Sequence, residues 1–248
     1  MISLKLQQQP RRKVKIEWSS NFAYAIGLIT SDGCIAKRRG RISFKCAEEE
    51  LVNKFKLALS VDNKTGLVRG WDKRKDNFQV NFSDVIFYEF LNKIGLSPAK
   101  SKIIKSVIVP NDFFADFLRG LFDGDGTFYT FWDRRWPSSF CYQLSFASAS
   151  LDFINWLKSS LNRLYGVKGV ICRGDGVFNL RYVKGDSRRL FEIMYYKEGL
   201  LFLNRKHNKI KTALSYDRVL KAGRGSSLVE LSPDLFGPLR SNSEMKTG

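Results

Sequence analysis

Apolar and polar positions follow a pattern along the chain that occurs twice. In the first half, periodic apolar residues at 22–29 predict a helix that ends at Asp32-Gly33, where the glycine is typical of a helix C-cap. Strict alternation at 41–46 predicts a half-buried strand. The rest of this half predicts a helix at 48–59, a hairpin at 66–71 and 78–82 with a basic tip, a helix at 84–94, and a lysine-rich segment from 100 to 105.

The second half repeats this order of elements. It predicts a helix over 113–122 that ends at Asp125-Gly126, a strand at 142–146, a helix at 151–164, a hairpin at 167–172 and 177–183 around a glycine-containing turn, a helix at 188–196 and a basic segment at 204–211. Each half therefore has the order helix, strand, helix, hairpin, helix, basic segment. We predict an internal duplication.

The duplication gives the expected division of the chain. We predict a basic lead-in at 1–17, a first repeat at 18–108, a linker at 109–114, a second repeat at 115–215 and a tail at 216–248. Glycine, serine and proline are frequent in the tail, which we expect to be mobile or to pack at the periphery.

Charge narrows the choice of partner. The 248 residues carry 42 Lys and Arg against 24 Asp and Glu, a formal net charge of +18. An excess of this size is typical of proteins that bind a polyanion, either nucleic acid or an anionic membrane. The strongly apolar helix faces are better explained as core than as a membrane-binding surface, and no run of apolar residues is long enough to span a bilayer. We therefore expect nucleic acid as the partner and no membrane.

Histidine and cysteine exclude several kinds of site. The chain has one histidine, His207, which excludes chemistry that needs several imidazoles. Its four cysteines form no C-x-x-C pair, which argues against a structural zinc site and a disulfide framework. The polar, basic N-terminus has no apolar signal region. We expect an intracellular protein, in the cytoplasm of a prokaryote or the matrix of an organelle.

The duplication is sharpest in two nine-residue segments. Residues 25–33 read AIGLITSDG and residues 118–126 read LRGLFDGDG. Each has small residues four apart, Gly27 and Ser31 in the first and Gly120 and Gly124 in the second, so each predicted helix has a face stripped of side chains. Such faces let two helix backbones approach closely. We expect these helices to pack against each other.

Each of these helices ends in an acid, Asp32 in the first and Asp125 in the second. A helix C-terminus carries partial negative charge, so an acid there is disfavoured, and two acids brought together repel each other. A divalent cation removes this conflict, since carboxylate oxygens suit Mg²⁺. We therefore predict a metal-binding pair of acids, whose remaining ligands include a phosphate.

At these segments the chain resembles the LAGLIDADG homing endonucleases in their two-repeat, single-chain form. LRGLFDGDG is close to the family motif, whereas AIGLITSDG has Thr30 where the family often has aspartate. The resemblance implies an α+β fold of two pseudo-twofold-related αββαββα repeats. It further implies curved antiparallel sheets that form a saddle over DNA, with the motif helices at the central interface.

The resemblance also implies an activity. It implies a monomeric, site-specific, intron-encoded DNA endonuclease that binds a long asymmetric duplex and hydrolyses one phosphodiester on each strand across the minor groove. The product would be a staggered break with short 3′ overhangs. The cofactor would be Mg²⁺, with Mn²⁺ or Ca²⁺ able to occupy the sites in a crystal.

Residues can be assigned to these roles. Asp32 and Asp125 would bind metal, together with Ser31 and Gly124. The family often has a lysine near each site, for which we favour Lys100 and Lys206 over their neighbours Lys102 and Lys209. The expected DNA-binding residues are Lys37, Arg38, Arg39, Arg41, Lys45, Arg69, Lys73, Arg74 and Lys75 in the first repeat, and Arg134, Arg135, Arg173 and Arg181 in the second.

Three other functions remain open at this stage. An RNA maturase could use the same basic surface for RNA. A regulator of the same fold could bind nucleic acid without cutting it, although the presence of both Asp32 and Asp125 argues against this. An intein nuclease domain would have flanking splicing segments, and because the chain starts at Met1 without such segments we favour a free-standing enzyme.

Overall fold

The computed structural model describes residues 13–36, 40–69, 76–136 and 139–223, and within them the element order occurs twice. The first half contains α1 (Ser20–Ser31), β1 (Gly33–Ala36), β2 (Arg41–Cys46), α2 (Glu49–Leu59), β3 (Thr65–Val68), β4 (Asn77–Ser83), α3 (Val85–Lys93) and α4 (Lys100–Ile103). The second contains α5 (Phe114–Asp125), β5 (Thr127–Trp132), β6 (Phe140–Ser148), α6 (Leu151–Tyr165), β7 (Val170–Arg173), β8 (Phe178–Val183), α7 (Lys184–Met194) and α8 (Asn204–Gly223).

Each half forms one four-stranded sheet. The strand orders are β1-β2-β4-β3 and β5-β6-β8-β7, and every neighbouring pair is antiparallel. Along β2 the side chains of Ile42 and Phe44 are buried, while those of Arg41 and Lys45 are exposed, as period-2 alternation requires. One face of the sheet is therefore covered and the other is open to solvent. The predicted α+β class with two repeats is confirmed.

The two motif helices α1 and α5 pack against each other with their backbones nearly touching. A Cβ atom added to Gly27 would lie 2.2 Å from the Phe117 carbonyl oxygen, and one added to Gly120 would lie 2.0 Å from the Tyr24 carbonyl oxygen. A Cβ on Gly124 would lie 1.9 Å from Ser31 Oγ. The contact therefore continues to the C-terminal ends of both helices, where the acids lie.

The pattern of apolar and polar residues does not predict the first strand of either sheet. β1 has four residues, too few to show alternation, and β5 reads TFYTFW, in which aromatic residues and threonines do not alternate. Gly33, predicted as a helix-capping glycine, lacks the positive φ typical of one, and Gly126, the C-cap residue of α5, lacks it as well. They are needed for space: a Cβ would lie 2.6 Å from Ile29 Cα at Gly33 and 2.2 Å from Phe122 Cδ2 at Gly126, since the chain turns back over the end of each helix.

Helix α8 extends past the expected start of the tail at 216. Its buried Asp217 pairs with Lys184 at 2.9 Å, Arg188 at 3.1 Å and Lys221 at 3.0 Å, which fixes the helix to α7. Residues 1–12 and 224–248 of the predicted lead-in and tail lie outside the described residues. Within the described ranges, no helix is both long and apolar enough to cross a bilayer.

Candidate functional site

The two acids meet where the motif helices end. Asp32 follows the last residue of α1, with its N–H donating to the Leu28 carbonyl at 3.0 Å, and Asp125 is the last residue of α5. A Cβ on Gly124, next to Asp125, would lie 3.0 Å from Asp32 Oδ2. One acid from each repeat therefore lies at a single seam.

This proximity changes the electrostatics of both carboxyls. Burial, reinforced by the charge of Asp125, raises the pKa of Asp32 to about 6, although Lys206 and Lys100 oppose the shift. Burial likewise raises the pKa of Asp125, again against the effect of the two lysines. Both acids are thus held where their negative charge is disfavoured, which is the condition under which a bound cation stabilises a site most.

Lys100 and Lys206 occupy matching positions in the two repeats. Lys100 Nζ donates to the Gly33 carbonyl at 2.6 Å and to the Ser31 carbonyl at 3.4 Å. Lys206 Nζ donates to the carbonyls of Phe122, Gly124 and Gly126 at 2.7, 2.8 and 2.7 Å. Each ammonium therefore binds the negative end of the motif helix in its own repeat, where a cation is most favourable.

The two lysines differ in how many of their N–H groups donate hydrogen bonds within the protein. Lys206 has three carbonyl acceptors for its three N–H groups, whereas Lys100 has two acceptors. Burial lowers the pKa of both ammonium groups, against the effect of the neighbouring acids. The neighbours Lys102 and Lys209 are exposed. The geometry thus places Lys100 and Lys206, rather than Lys102 and Lys209, beside the acids.

The donor set around the acids can be compared with what Mg²⁺ requires. No group of three or more His, Cys, Asp or Glu side chains that could hold a metal occurs in the described part of the chain. Mg²⁺ is commonly bound by one or two carboxylates, with water and phosphate completing its shell, so Asp32 and Asp125 fit. Ser31 Oγ is turned back to the Gly27 and Leu28 carbonyls, so Ser31 and Gly124 could contribute only their main-chain oxygens, which also accept from the lysines.

Only some of the predicted DNA-binding residues lie on the solvent faces of the two sheets. Arg41 and Lys45 project from the solvent face of the first sheet, and Arg181 is on the solvent face of the second. Arg173 pairs with Phe178, so strand alternation places it on the opposite face from Arg181. Arg69, Arg134 and Arg135 are exposed at strand ends and in a loop, where Arg135 also pairs with Asp133. Lys37, Arg38, Arg39, Lys73, Arg74 and Lys75 lie outside the described residues.

The strand register locates Lys45 relative to the acids. Gly33 pairs with Phe44, so Lys45 is one step further along, opposite the position of Asp32. Thr127 pairs with Ser145, and the same extension brings Ala147 opposite Asp125. At this register position the two sheets therefore differ, with a cation in the first repeat and a methyl group in the second.

Sequence reasoning missed the role of Asp123. Its Oδ2 accepts from Tyr24 Oη of the other repeat and from the Leu203 N–H, both at 2.7 Å. Burial raises its pKa to about 6, in opposition to these hydrogen bonds. Asp123 thus fixes the residue just before α8, the helix that carries Lys206. The signal was present as the first acid of FDGD, whereas Thr30 at the matching position bonds to Ile26 of its own helix.

The first repeat also holds the start of α8. Arg205 Nη2 donates to Glu48 Oε1 at 2.6 Å, and the Asn204 N–H donates to Glu50 Oε1 at 3.2 Å. Lys206 therefore reaches the seam from a segment anchored to both repeats. Contacts of this kind join residues more than 150 positions apart and leave no local pattern in the sequence.

Comparison with known proteins supports the fold of two repeats. The sequence matches no curated protein. The chain resembles the solved structure of the homing endonuclease I-GzeII in complex with its DNA target, with a TM-score of 0.58 and 11% identity over 84% of this chain and 94% of that one. It also resembles I-DmoI in complex with DNA and Ca, with a TM-score of 0.50 and 17% identity over 78% and 97% of the two chains.

A third similar structure is full-length DUF199/WhiA from Thermatoga maritima, with a TM-score of 0.51 and 13% identity over 85% of this chain and 68% of that one. At these identities the similarities establish the fold. A family model described as a LAGLIDADG-like domain matches residues 19–95 and 112–193, which are the two repeats. With its duplicated motif helices and the acid that ends each of them, the chain belongs to the family of LAGLIDADG-like domain proteins.

Proposed function

We propose that this protein is a site-specific, intron-encoded DNA endonuclease that cuts both strands of a long asymmetric duplex. One observation carries the proposal: Asp32 and Asp125 come from different repeats and meet at the end of two helices whose backbones touch. A single chain therefore has two acids, one for each strand, so it can act as a monomer. The expected product is a staggered break with short 3′ overhangs, made across the minor groove.

Asp32 and Asp125 are proposed to bind Mg²⁺, assisted by the main-chain oxygens of Ser31 and Gly124. When bound, Mg²⁺ would supply Lewis acidity, which makes water easier to deprotonate and so a better nucleophile, and it would neutralise charge on the phosphate. The protein's part is to hold both carboxylates in fixed positions, where a bound cation offsets the cost of their negative charge. Close helix packing fixes their separation, and the lysines beside them favour the ionised forms.

Lys100 and Lys206 are proposed to stabilise negative charge at the seam. Their ammonium groups are held by carbonyls of the motif helix ends, so their positive field is directed at the two acids and at any phosphate between them. For Lys206, whose N–H groups all have acceptors, this role is electrostatic. Among the described residues Lys100 has two acceptors for its three N–H groups, so its third donor is proposed to bind an oxygen of the substrate.

The solvent faces of the two sheets are proposed to bind the two halves of the DNA target. Strand ribbons fit the major groove, and arginine can read guanine edges with two hydrogen bonds. Arg41, Lys45 and Arg181 have the placement for base contacts. Arg69, Arg134 and Arg135 lie at strand ends and in a loop and are better placed for the phosphate backbone. Arg173 is on the opposite face of the second sheet from Arg181 and has no such placement. The basic residues at 37–39 and 73–75 remain predicted DNA contacts.

A protein that binds DNA without cutting it is the second candidate. The complete use of the Lys206 donors by the chain itself favours it, because that group has no N–H left for substrate. An RNA maturase would use the same basic surface on a different nucleic acid. The experiment therefore has to separate binding from cleavage and DNA from RNA.

The test is a cleavage selection on a randomised duplex DNA library with Mg²⁺, followed by sequencing of both cut ends. The proposal predicts a recovered site cut once on each strand, with a 3′ overhang, and no product in EDTA. A structured intron RNA in the same buffer serves as the competing substrate. Selective DNA binding without cleavage would reject the endonuclease in favour of a regulator, and tight binding of RNA alone would reject both.

A further inference from the structure

The solvent faces of the two sheets have different chemistry at matching positions. Equivalent positions of the two sheets can be identified from the strand register. The pairing that follows Asp32 through β1, β2 and β4 is the same as the pairing that follows Asp125 through β5, β6 and β8. One row of the first sheet is Ala36, Arg41 and Ser83. The same row of the second sheet is Tyr129, Gln143 and Val183. In the second sheet an aromatic side chain thus takes the place of alanine, an amide takes the place of arginine, and an aliphatic side chain takes the place of serine.

Apolar side chains are open to solvent on this face of the second sheet. Val170 and Val183 are 63% and 61% exposed, and Tyr129 and Phe131 are 37% and 38% exposed, with ring centroids 5.8 Å apart. On the matching face of the first sheet, the described residues include no exposed large apolar side chain. Exposed apolar groups on a functional face indicate that something apolar is bound there.

Gln143 gives a second observation on the same row. Its side chain is 6% exposed, and its amide nitrogen is buried without a hydrogen-bond partner among the described atoms. It lies between Tyr129 and Val183. A buried amide donor without an acceptor is costly, so an acceptor supplied by a ligand would be favoured at this point.

Only one kind of base pair presents both an apolar group and hydrogen-bonding partners for an amide in the major groove. An A·T pair presents the thymine methyl group together with a donor and an acceptor on adenine that match an amide, whereas a G·C pair has no methyl group. Resting on the proposed function, we propose that the second sheet reads an A·T-rich half-site by contact with thymine methyl groups, while Arg41 of the first sheet reads a G·C pair at the matching position of the other half-site.

Charge and position favour DNA over a protein as the occupant of this face. Arg181 is exposed in the adjacent row, where it pairs with Ser145 and Val170, so the exposed side chains of Val170 and Val183 are next to a cation. That row continues to Thr127, two residues after Asp125, and is therefore continuous with the acids at the seam. A net charge of +18 further favours a polyanion.

The test begins with the full chain in EDTA, so that duplexes from a randomised library are selected for binding without cleavage. In the consensus duplex, the thymines of one half at a time are replaced by deoxyuridine, which pairs identically and lacks only the methyl group. Binding is measured for the wild type and for Val183→Thr and Val170→Thr, which are nearly isosteric. Ser83→Ala, at the position that matches Val183, is the control, and thermal melts establish that each variant is folded.

The proposal predicts one A·T-rich half in which each missing methyl group weakens binding about fourfold, equivalent to ~0.8 kcal/mol for one buried carbon. Val183→Thr and Val170→Thr reduce this sensitivity to deoxyuridine, and Ser83→Ala retains it. Two separate threonine variants keep the test valid if one of them does not fold. Arg41→Gln shifts one base pair of the other half from G·C towards A·T.

The outcomes of this test separate a failure of the inference from a failure of the proposed function. If duplex is bound but deoxyuridine has no effect in either half, the inference is wrong and the proposed function stands. If no duplex is selected at all, the proposed function fails and the inference fails with it. If instead Val183→Thr dissociates a dimer seen by light scattering while the deoxyuridine effect is absent, the apolar face is a protein interface and the inference is overturned.

Discussion

At the scale of single residues, Asp32 and Asp125 are held in an arrangement that opposes their ionisation. Burial and mutual repulsion raise the pKa of Asp32 to about 6, and burial raises that of Asp125. Such a site stores an unfavourable interaction that a bound cation relieves. Removing one charge should therefore stabilise the fold even as it removes function, the usual relation between stability and activity at a functional site.

The first prediction concerns Asp32→Asn. At neutral pH in EDTA, we expect this substitution to raise the free energy of unfolding by ~1 kcal/mol, a value reduced for the solvent exposure of the residue. Urea denaturation of the variant and the wild type measures the difference. Asp62→Asn, in an exposed loop, is the control and should change stability little. A destabilised Asp32→Asn protein would contradict this account of the seam.

The second prediction is the pH dependence of that difference. Because the pKa of Asp32 is raised in the folded state, the folded protein binds this proton more tightly than the unfolded chain does. The contribution of Asp32 to stability therefore falls as pH rises from about 4 to about 6 and stays low above that, in the field of Asp125, Lys100 and Lys206. The stability difference between Asp32→Asn and the wild type should shrink as pH falls from about 6 and vanish only well below about pH 4, where the unfolded carboxyl is also protonated. A difference that stays constant with pH would exclude this origin.

The third prediction separates Lys206 from its exposed neighbour Lys209. Lys206→Met leaves three helix-end carbonyls without their donor, so we expect a loss of ~1–3 kcal/mol in stability together with loss of cleavage. Lys206→Arg should restore part of the stability. Lys209→Met should lower cleavage no more than it lowers DNA binding. Equal behaviour of the two methionine variants in single-turnover cleavage and urea unfolding would reject the assignment.

At the scale of elements, the packing of α1 on α5 determines where the acids lie. Gly27 and Gly120 are required because the facing carbonyls occupy the space of a side chain. This requirement is steric and follows from residue size alone, so it could be predicted from small residues four apart. The short strands β1 and β5 could not, since β1 has only four residues and the aromatic residues and threonines of β5 do not alternate.

The fourth prediction tests this packing. Gly27→Ala and Gly120→Ala each place a methyl group within 2.2 Å of a backbone oxygen, so we expect each to destabilise the protein by about 3 kcal/mol or more. Gly185→Ala in α7 meets no atom within 4 Å and should be neutral or stabilising by up to ~1 kcal/mol. Thermal unfolding checks all three, and a tolerated alanine at 27 or 120 would contradict the close approach.

At the scale of the whole molecule, the duplication and the acid pair could be predicted from sequence, whereas the anchoring of α8 could not. The two motif segments are contiguous and similar to each other, so a comparison of the two halves of the sequence identifies them. The contacts of Asp123 with Tyr24 and Leu203, and of Arg205 with Glu48, connect distant parts of the chain through polar groups that have no periodicity. For this reason the sequence alone could not separate Lys206 from Lys209, and only the fold shows that Lys206 lies at the end of α5.

The fifth prediction concerns the basic surface as a whole. Each phosphate contact releases counterions, so binding to duplex DNA should weaken steeply with salt, with a slope of log K against log [salt] of about −5 for roughly six phosphate contacts. Fluorescence anisotropy between low and moderate salt gives this slope. A value shallower than about −2 would be inconsistent with DNA held across both sheets.

The most direct test of the central claim is to follow binding and strand cleavage together on the selected DNA site, with Mg²⁺, for the wild type and for the double variant Asp32→Asn, Asp125→Asn. Loss of both acids should leave duplex binding within a few-fold of wild type and abolish cleavage of both strands. Undiminished cutting by the folded double variant would show that the acids at the seam do not perform the reaction.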